Sequence, residues 1–279
     1  MALEQFRPRG FTLLPPIVKN LLIINGLFFL ATITFDSVYH IDLDRYLGLH
    51  YFESEYFRPW QYITYMFMHG GIEHILFNMF ALWMFGYTLE NYWGAKKFLF
   101  YYLITGVGAA FVQTLVNWYE ISAIKDAAMI FQAAPSPEAL AAFLRDHFNG
   151  AYNPEKLQEF ISSWSLSPHN QGFVQQSYGI INDFITTKID VPTIGASGSV
   201  FGILLAFGMM FPNQLLYIYF LFPIKAKWFV ILYGGAELFF GITNSQTGVA
   251  HFAHLGGMLF GLILILYWKK NNTHHNYYD

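Results

Sequence analysis

The sequence predicts an all-α membrane protein: a six-transmembrane-helix bundle with a helical extramembrane insert between the third and fourth helices. The 279 residues are 55% hydrophobic and only 12% charged, whereas an ordinary soluble domain carries roughly 25% charged residues. Phe and Tyr, which are frequent in chains with membrane–water interfaces, number 30 and 19. A soluble domain cannot cover its surface with so few charges, so the composition excludes that class.

Each predicted span is close to the ~20 mainly apolar residues that a bilayer-spanning helix needs. In order, the spans are residues 17–35, 75–93, 98–116, 194–212, 228–243 and 249–268. The fifth is the shortest. An alternative start near Leu215 would take Pro223 and Lys225 into the helix, so the later start is preferred. The first span is too long for a signal peptide and lacks a small-residue cleavage site, so we expect it to be retained.

Basic residues predict that both chain ends are cytoplasmic. With six spans the two ends share one side, and nine of the 15 Lys and Arg residues lie near span ends on that side. Such an excess marks the cytoplasmic face. We therefore expect a cytoplasmic N-terminal segment (1–16), a six-span core (17–268) interrupted by an extracytoplasmic insert (117–193), and a cytoplasmic tail (269–279).

The insert is expected to be helical. Apolar residues recur at helical spacing over Pro137–Phe148 and over Pro154–Trp164. Helices of this kind fit either an element lying on the membrane surface or a packed cap, and the sequence does not separate the two.

Function is sought in the polar side chains within the spans, because a membrane tolerates few of them. Cysteine is absent, which excludes disulfides, thiolate metal sites and a cysteine nucleophile. The formal net charge of −3 argues against a nucleic-acid partner.

Ser197 stands among small residues at the outer end of the fourth span. Such residues let helices approach closely, and Gly198 and Gly202 form a GxxxG pair. Ser197 is also expected in the first helical turn, where free backbone N–H groups can stabilise an oxyanion. This suits a serine nucleophile, although simple packing is the preferred explanation of the segment taken alone. It is not the G-x-S-x-G elbow of soluble hydrolases.

His254 lies near the outer end of the sixth span, on one helical face with Gly257 and Gly261. Spans four and six run in the same direction, and the depths of Ser197 and His254 differ by roughly 3 Å at 1.5 Å per residue. If the glycine faces meet, His254 can serve as general base. An interfacial histidine or a packing hydrogen bond is the alternative. His251 and His254 form an i, i+3 pair, but we expect no metal, because the chain lacks an H-E-x-x-H motif.

The other polar candidates are weaker. His74 and Asn78, at i and i+4 on the second span, can both donate hydrogen bonds, as an oxyanion hole requires; an interfacial or helix–helix contact is the alternative. His69 is expected to pack in the preceding loop. Glu237 is a functional candidate because it lies inside the fifth span, yet a protonated or hydrogen-bonded helix contact is favoured. Glu90 is interpreted as structural.

Together the motifs resemble the rhomboid family of intramembrane serine proteases. The resemblance rests on three segments, in this order on spans two, four and six: His74-Ile75-Leu76-Phe77-Asn78, Gly195-Ala196-Ser197-Gly198, and Ala253-His254-Leu255-Gly256-Gly257 with Gly261. It covers the six-span core and excludes the insert. One departure is Trp60-Gln61, where the family often has Trp-Arg.

The resemblance implies that Ser197 is the nucleophile and His254 the general base. It implies an oxyanion hole made of His74, Asn78 and the backbone N–H of Ser197, and it places Phe201 against the catalytic histidine. The pair is expected to act as a dyad, because no acidic residue lies near His254 in sequence.

The resemblance further implies a protein that cleaves transmembrane segments of other membrane proteins. Its partners would be those substrates and the lipid bilayer, with no cofactor and no metal. We expect a multi-pass protein of the bacterial inner membrane whose site opens outward, with close helix approach at Gly198, Gly202, Gly257 and Gly261. The oligomeric state stays open.

Two other function classes were weighed. A non-catalytic rhomboid-like protein that binds membrane clients would lack the serine or the histidine, and both are present. A transporter would show interrupted spans at the midplane and an inverted repeat, and the sequence shows neither.

Overall fold

A computed structural model describes residues 12–218, 221–243 and 248–275. Residues 1–11 of the expected N-terminal segment and residues 276–279 of the expected tail lie outside this range. The chain divides into two compact units. One comprises the chain up to Leu49, Arg58–Gln113 and the chain from Thr193 onward, and the other comprises His50–Phe57 and Thr114–Pro192.

Helices make up most of the described chain. In order they are α1 (Pro16–Tyr39), α2 (Asp44–Leu47), α3 (Gln61–Thr64), a 3₁₀ turn (Tyr65–Phe67), α4 (Ile72–Trp93), α5 (Ala95–Ala133), α6 (Pro137–Phe148), α7 (Pro154–Leu166), α8 (Gln171–Asp190), α9 (Ser197–Met210), α10 (Ala226–Thr243) and α11 (His251–His275). Strands β1 (Leu215–Ile218) and β2 (Phe222–Lys225) form an antiparallel hairpin between α9 and α10.

Each of the six predicted spans overlaps a helix. Within the described residues, three helices are long and apolar enough to cross a membrane, namely Pro16–Tyr39, Ala95–Ala133 and His251–Asn271, and Ser197–Met210 is a shorter apolar helix. The chain is thus an all-α protein with membrane-spanning helices. The hairpin was not predicted. It occupies the segment around Pro223, so α10 begins at Ala226, close to the later start preferred from the sequence.

Helix α5 is longer than the predicted third span. It continues from residue 116 to Ala133, because alanine and other helix-forming residues follow without interruption and the next proline is Pro135. Residues 95–113 of this helix belong to the first unit and residues 114–133 to the second.

The second unit is a small helical cluster with its own core. The C-terminal part of α5 packs with α6, α7 and α8 around buried residues that include Phe131, Leu140, Leu144, Trp164 and Ile181. The side chains of Ser136, Asn153 and Asn170 cap α6, α7 and α8 by accepting backbone N–H bonds. Helix α8 was not predicted separately.

A buried carboxylate ties α1 to α4 in the first unit. Glu90, which is 3% exposed, accepts the backbone N–H groups of Ile17 at 2.9 Å and Val18 at 2.8 Å. These belong to the first turn of α1, where N–H groups lack intrahelical partners and favour a negative charge. The contacts agree with the structural role that the sequence suggested for Glu90.

Helices α9 and α11 meet along their glycines. A Cβ atom added to Gly257 would overlap the carbonyl oxygen of Gly198. One added to Gly261 would lie 3.5 Å from Cα of Gly202 and would overlap the hydroxyl of Tyr101. The glycine faces expected from the sequence therefore face each other, and this close approach brings the first turns of the two helices together.

Candidate active site

Ser197 is the first residue of α9, and a turn at Gly195 sets its position. Gly195 has a φ of 128°, which L side chains rarely adopt, and its N–H donates to the carbonyl oxygen of Tyr65 at 2.9 Å. Val200 N–H then donates to the Ala196 carbonyl at 3.0 Å. The N–H groups before it, including that of Ser197, lie in the turn that lacks intrahelical partners and can hold an oxyanion.

Two serines lie in the first turn of α9, and their surroundings differ. Ser199 is 1% exposed, and its hydroxyl donates to the carbonyl oxygen of Tyr102 at 2.8 Å. Ser197 is half-buried, and its Oγ lies 2.8 Å from Nε2 of His254. Of the two, Ser197 is the one that is both accessible and paired with a base.

His254 is held in place on the first turn of α11. The ring of Phe201 stacks on the imidazole with centroids 4.2 Å apart and an interplanar angle of 6°. Because the stacking covers only the face of the imidazole, Nε2 at its edge can contact Ser197 Oγ. A hydroxyl within hydrogen-bond reach of an oriented imidazole is the arrangement that activates a serine nucleophile.

His74 and Asn78 lie one helical turn apart on α4, and His74 is close to the turn at Gly195. A Cβ atom built on Gly195 would lie 2.9 Å from His74 Nε2 and 3.4 Å from Ser197 Oγ, so His74 and Ser197 flank Gly195. Asn78 is buried, and its Nδ2 donates to the His74 carbonyl oxygen at 2.9 Å. An amide carries two N–H donors, so this bond leaves one for a ligand. Among the described contacts, none joins Asn78 to Ser197.

His69 lies in the loop before α4, and its ring is 5.0 Å from that of His74 between centroids. Burial, together with the neighbouring His74, lowers the pKa of His69 to about 4. His69 is therefore neutral at pH 7 and adds no charge beside His74.

A carboxylate reaches the other side of His254, which differs from the expected dyad. Oε2 of Glu237, on α10, lies 2.8 Å from Nδ1 of His254 and 2.7 Å from Nδ1 of His251. Glu237, His251 and His254 are all buried. The hydrogen-bonded helix contact favoured for Glu237 is present, but its partner is the candidate base.

The contact between Glu237 and His254 was not predicted because the two residues are far apart in the sequence. Glu237 precedes His254 by 17 residues and lies on a different helix, so nearness along the chain did not reveal it. The available signal was the carboxylate itself, since an acid inside a span is a functional candidate by default, together with two histidines one turn apart on α11. The sequence did not show which face of α10 packs against α11.

Comparison with known proteins identifies the family. The Rhomboid domain family model matches residues 56–123 and 159–271. The chain belongs to the rhomboid family. It is thus a rhomboid integral membrane protein, and the matched ranges include every residue of the candidate site.

Individual rhomboid proteins are similar over different lengths. An uncharacterized mitochondrial rhomboid protein of Schizosaccharomyces pombe is 26% identical over 232 residues, covering 78% of this chain and 53% of that protein. The mitochondrial RHOMBOID-like protein 12 of Arabidopsis thaliana is 26% identical over 195 residues, covering 70% and 42%. Rhomboid protease AarA of Providencia stuartii is 38% identical over 63 residues, covering 23% and 22%. The chain thus spans about half the length of the first of these relatives and a smaller share of the other two.

Proposed function

We propose that this rhomboid protein is an intramembrane serine protease that hydrolyses peptide bonds in or next to transmembrane segments of membrane-protein substrates. The observation that carries the proposal is the 2.8 Å contact between Ser197 Oγ and His254 Nε2. A relative named rhomboid protease AarA supports the same reaction class. The partners would be single-span or multi-span membrane proteins, met within the lipid bilayer.

The reaction follows from the placement of the two side chains. His254 Nε2 takes the proton of Ser197 as Oγ bonds to the carbonyl carbon of the scissile peptide. The imidazolium then gives that proton to the leaving amine, and an acyl ester remains on Ser197. Water deprotonated by His254 hydrolyses the ester and restores both side chains.

The oxyanion formed in each step needs hydrogen-bond donors. We assign this role to the backbone N–H of Ser197, to His74 and to Asn78. The first lies in the free first turn of α9, and His74 flanks Gly195 together with the nucleophile. Asn78 keeps one amide N–H beyond the bond to the His74 carbonyl.

We predict that Asn78→Ala lowers kcat by ~10²–10³, the usual cost of losing one oxyanion donor. Asn25→Ala is the matched control, because Asn25 is also buried and its Nδ2 donates to the carbonyl four residues earlier, at 2.7 Å. The control is expected to keep the wild-type rate. Steady-state cleavage of one substrate by both variants is the measurement, and equal rates would remove Asn78 from the oxyanion hole.

The same proposal includes the membrane arrangement. A six-span core (17–268) would hold the site, with the insert (117–193) outside, both termini cytoplasmic and the site opening outward. The basic residues near span ends support this orientation. The bacterial inner membrane stays a prediction, since two of the relatives above are named mitochondrial.

The direct test is covalent labelling of the purified protein in detergent. A fluorophosphonate probe is expected to modify Ser197, because that hydroxyl alone of the two in α9 faces a base. Peptide mass spectrometry locates the adduct, and Ser197→Ala should abolish it. An adduct on Ser199 would reassign the nucleophile. A folded protein with no adduct and no cleavage of a single-span substrate panel would favour the client-binding class.

A further inference from the structure

We infer that Glu237 is a positioning residue for His254, so that the site works as a Ser197–His254–Glu237 triad with His251 as a second anchor for the carboxylate. This inference rests on the proposed protease function. It begins with one oxygen atom: Oε2 of Glu237 meets Nδ1 of His254 at 2.8 Å and Nδ1 of His251 at 2.7 Å.

The carboxylate selects the tautomer of His254. An ionised carboxylate only accepts hydrogen bonds, so the proton of a neutral His254 must lie on Nδ1. Its Nε2 then carries a lone pair, and this atom faces Ser197 Oγ at 2.8 Å. The tautomer held by Glu237 is therefore the one that can take the serine proton.

Glu237 also stabilises the intermediate state of the base. When His254 accepts the proton of Ser197 it becomes an imidazolium, and the carboxylate against Nδ1 compensates the new positive charge in a site of low dielectric constant. The proton stays on His254 until it passes to the leaving amine. Glu237 begins and ends each step ionised.

His251 explains how the carboxylate is held. Glu237 is 6% exposed, and a buried charge with one neutral partner is costly. The second N–H donor on the same oxygen lowers that cost and fixes the oxygen between the two rings. His251 and His254 lie one turn apart on α11, so both hydrogen bonds to the carboxylate from α10 come from the same helix.

The distances favour hydrogen bonds over a metal site. Glu237, His251 and His254 each offer one ligand atom, and these atoms lie within 4.8 Å of one another. Four-coordinate zinc with bonds of 2.0–2.2 Å would hold its ligand atoms roughly 3.3 Å apart. Both Nδ1 atoms lie 2.7–2.8 Å from Oε2, which is the length of a charge-assisted hydrogen bond.

The kinetic test compares two buried carboxylates. Glu237→Gln keeps the shape of the side chain and removes its charge, and we expect kcat to fall by ~10²–10⁴ with KM nearly unchanged. Glu90→Gln is the matched control, because Glu90 is equally buried but accepts only backbone N–H groups of α1 among its described contacts. It is expected to keep the wild-type kcat. A wild-type kcat for Glu237→Gln would overturn the role.

A second variant and a chelator separate the triad from a metal site. His251→Phe is expected to lower kcat less than Glu237→Gln, because the bond between Glu237 and His254 remains. EDTA is expected to leave the wild-type rate unchanged. Activity that is lost on chelation and restored by zinc would overturn the positioning role in favour of a bound metal.

A spectroscopic test needs no substrate. In ¹⁵N-histidine-labelled protein in micelles, His254 should show a protonated Nδ1 and an unprotonated Nε2, with His254→Ala identifying its signals. In Glu237→Leu, which offers Nδ1 no hydrogen-bond acceptor, that preference should be lost, and an unchanged tautomer would overturn the inference. Wild-type protein that shows the expected tautomer but neither cleaves nor labels would instead overturn the protease assignment, so the two failures are distinguishable.

Discussion

Replacement of Ser197 by alanine is expected to abolish substrate cleavage, with kcat lowered by ~10⁴–10⁶. The Oγ atom of Ser197 lies 2.8 Å from Nε2 of His254. Alanine removes this hydroxyl and leaves His254, the glycine contacts and the proposed oxyanion donors in place. What survives is the small acceleration that binding and electrostatic stabilisation give without a nucleophile. The measurement is single-turnover cleavage of a single-span substrate in detergent and in liposomes.

Ser199→Ala is the matched control for that experiment. Ser199 lies on the same helix, two residues away, and its hydroxyl is committed to the Tyr102 carbonyl. The substitution removes one buried hydrogen bond, which costs about 1 kcal/mol of stability, and should leave kcat near the wild-type value. Cleavage that persists in Ser197→Ala and disappears in Ser199→Ala would move the nucleophile to the second serine.

Substitution of Gly257 by alanine is expected to give the largest loss of stability. The added Cβ would overlap the carbonyl oxygen of Gly198 and come within 2.7 Å of its carbonyl carbon. These are backbone atoms of a facing helix, so no side chain can turn aside and α9 and α11 must separate. Overpacking of this kind costs about 3 kcal/mol, and the same separation should also weaken the bond between Ser197 and His254.

The free energy of unfolding in mixed micelles is the measurement for Gly257→Ala. Gly26→Ala in α1 is the control, because a Cβ there meets nothing within 4 Å. It should cause no loss of stability, since alanine favours a helix more than glycine does. If Gly257→Ala unfolds at the same denaturant concentration as Gly26→Ala, then α9 and α11 are not in backbone contact.

The sequence predicts those parts of the site that depend on position along single helices. Ser197 and His254 could be paired because both were predicted to lie shallow in spans of the same direction, each with a glycine face below it. The place of Phe201 against His254 came from the resemblance to the rhomboid family, with Phe201 one turn after Ser197. Periodicity and depth are properties of one helix, and a single sequence displays them directly.

Features that depend on how helices face each other were not predicted. Glu237 was recognised as an acid inside a span, but which side of α10 turns toward α11 is decided by packing across the bundle. The length of α5 was missed for another reason. The continuous apolar run ends near residue 116, whereas residues that favour a helix continue to Ala133. The hairpin between α9 and α10 was missed because its strands are only four residues long and β2 contains Pro223, so they carry little periodic signal.

The order of the three site helices has a consequence for biosynthesis. The proposed nucleophile, acid and base come from α9, α10 and α11, all after residue 196, whereas α1, α4 and α5 precede them. A ribosome therefore makes α1, α4 and α5 before any of these three side chains exists, and His254 is the last of the three to be made. If the proposed protease function holds, the nascent chain should therefore lack activity until α11 has docked against α9 and α10.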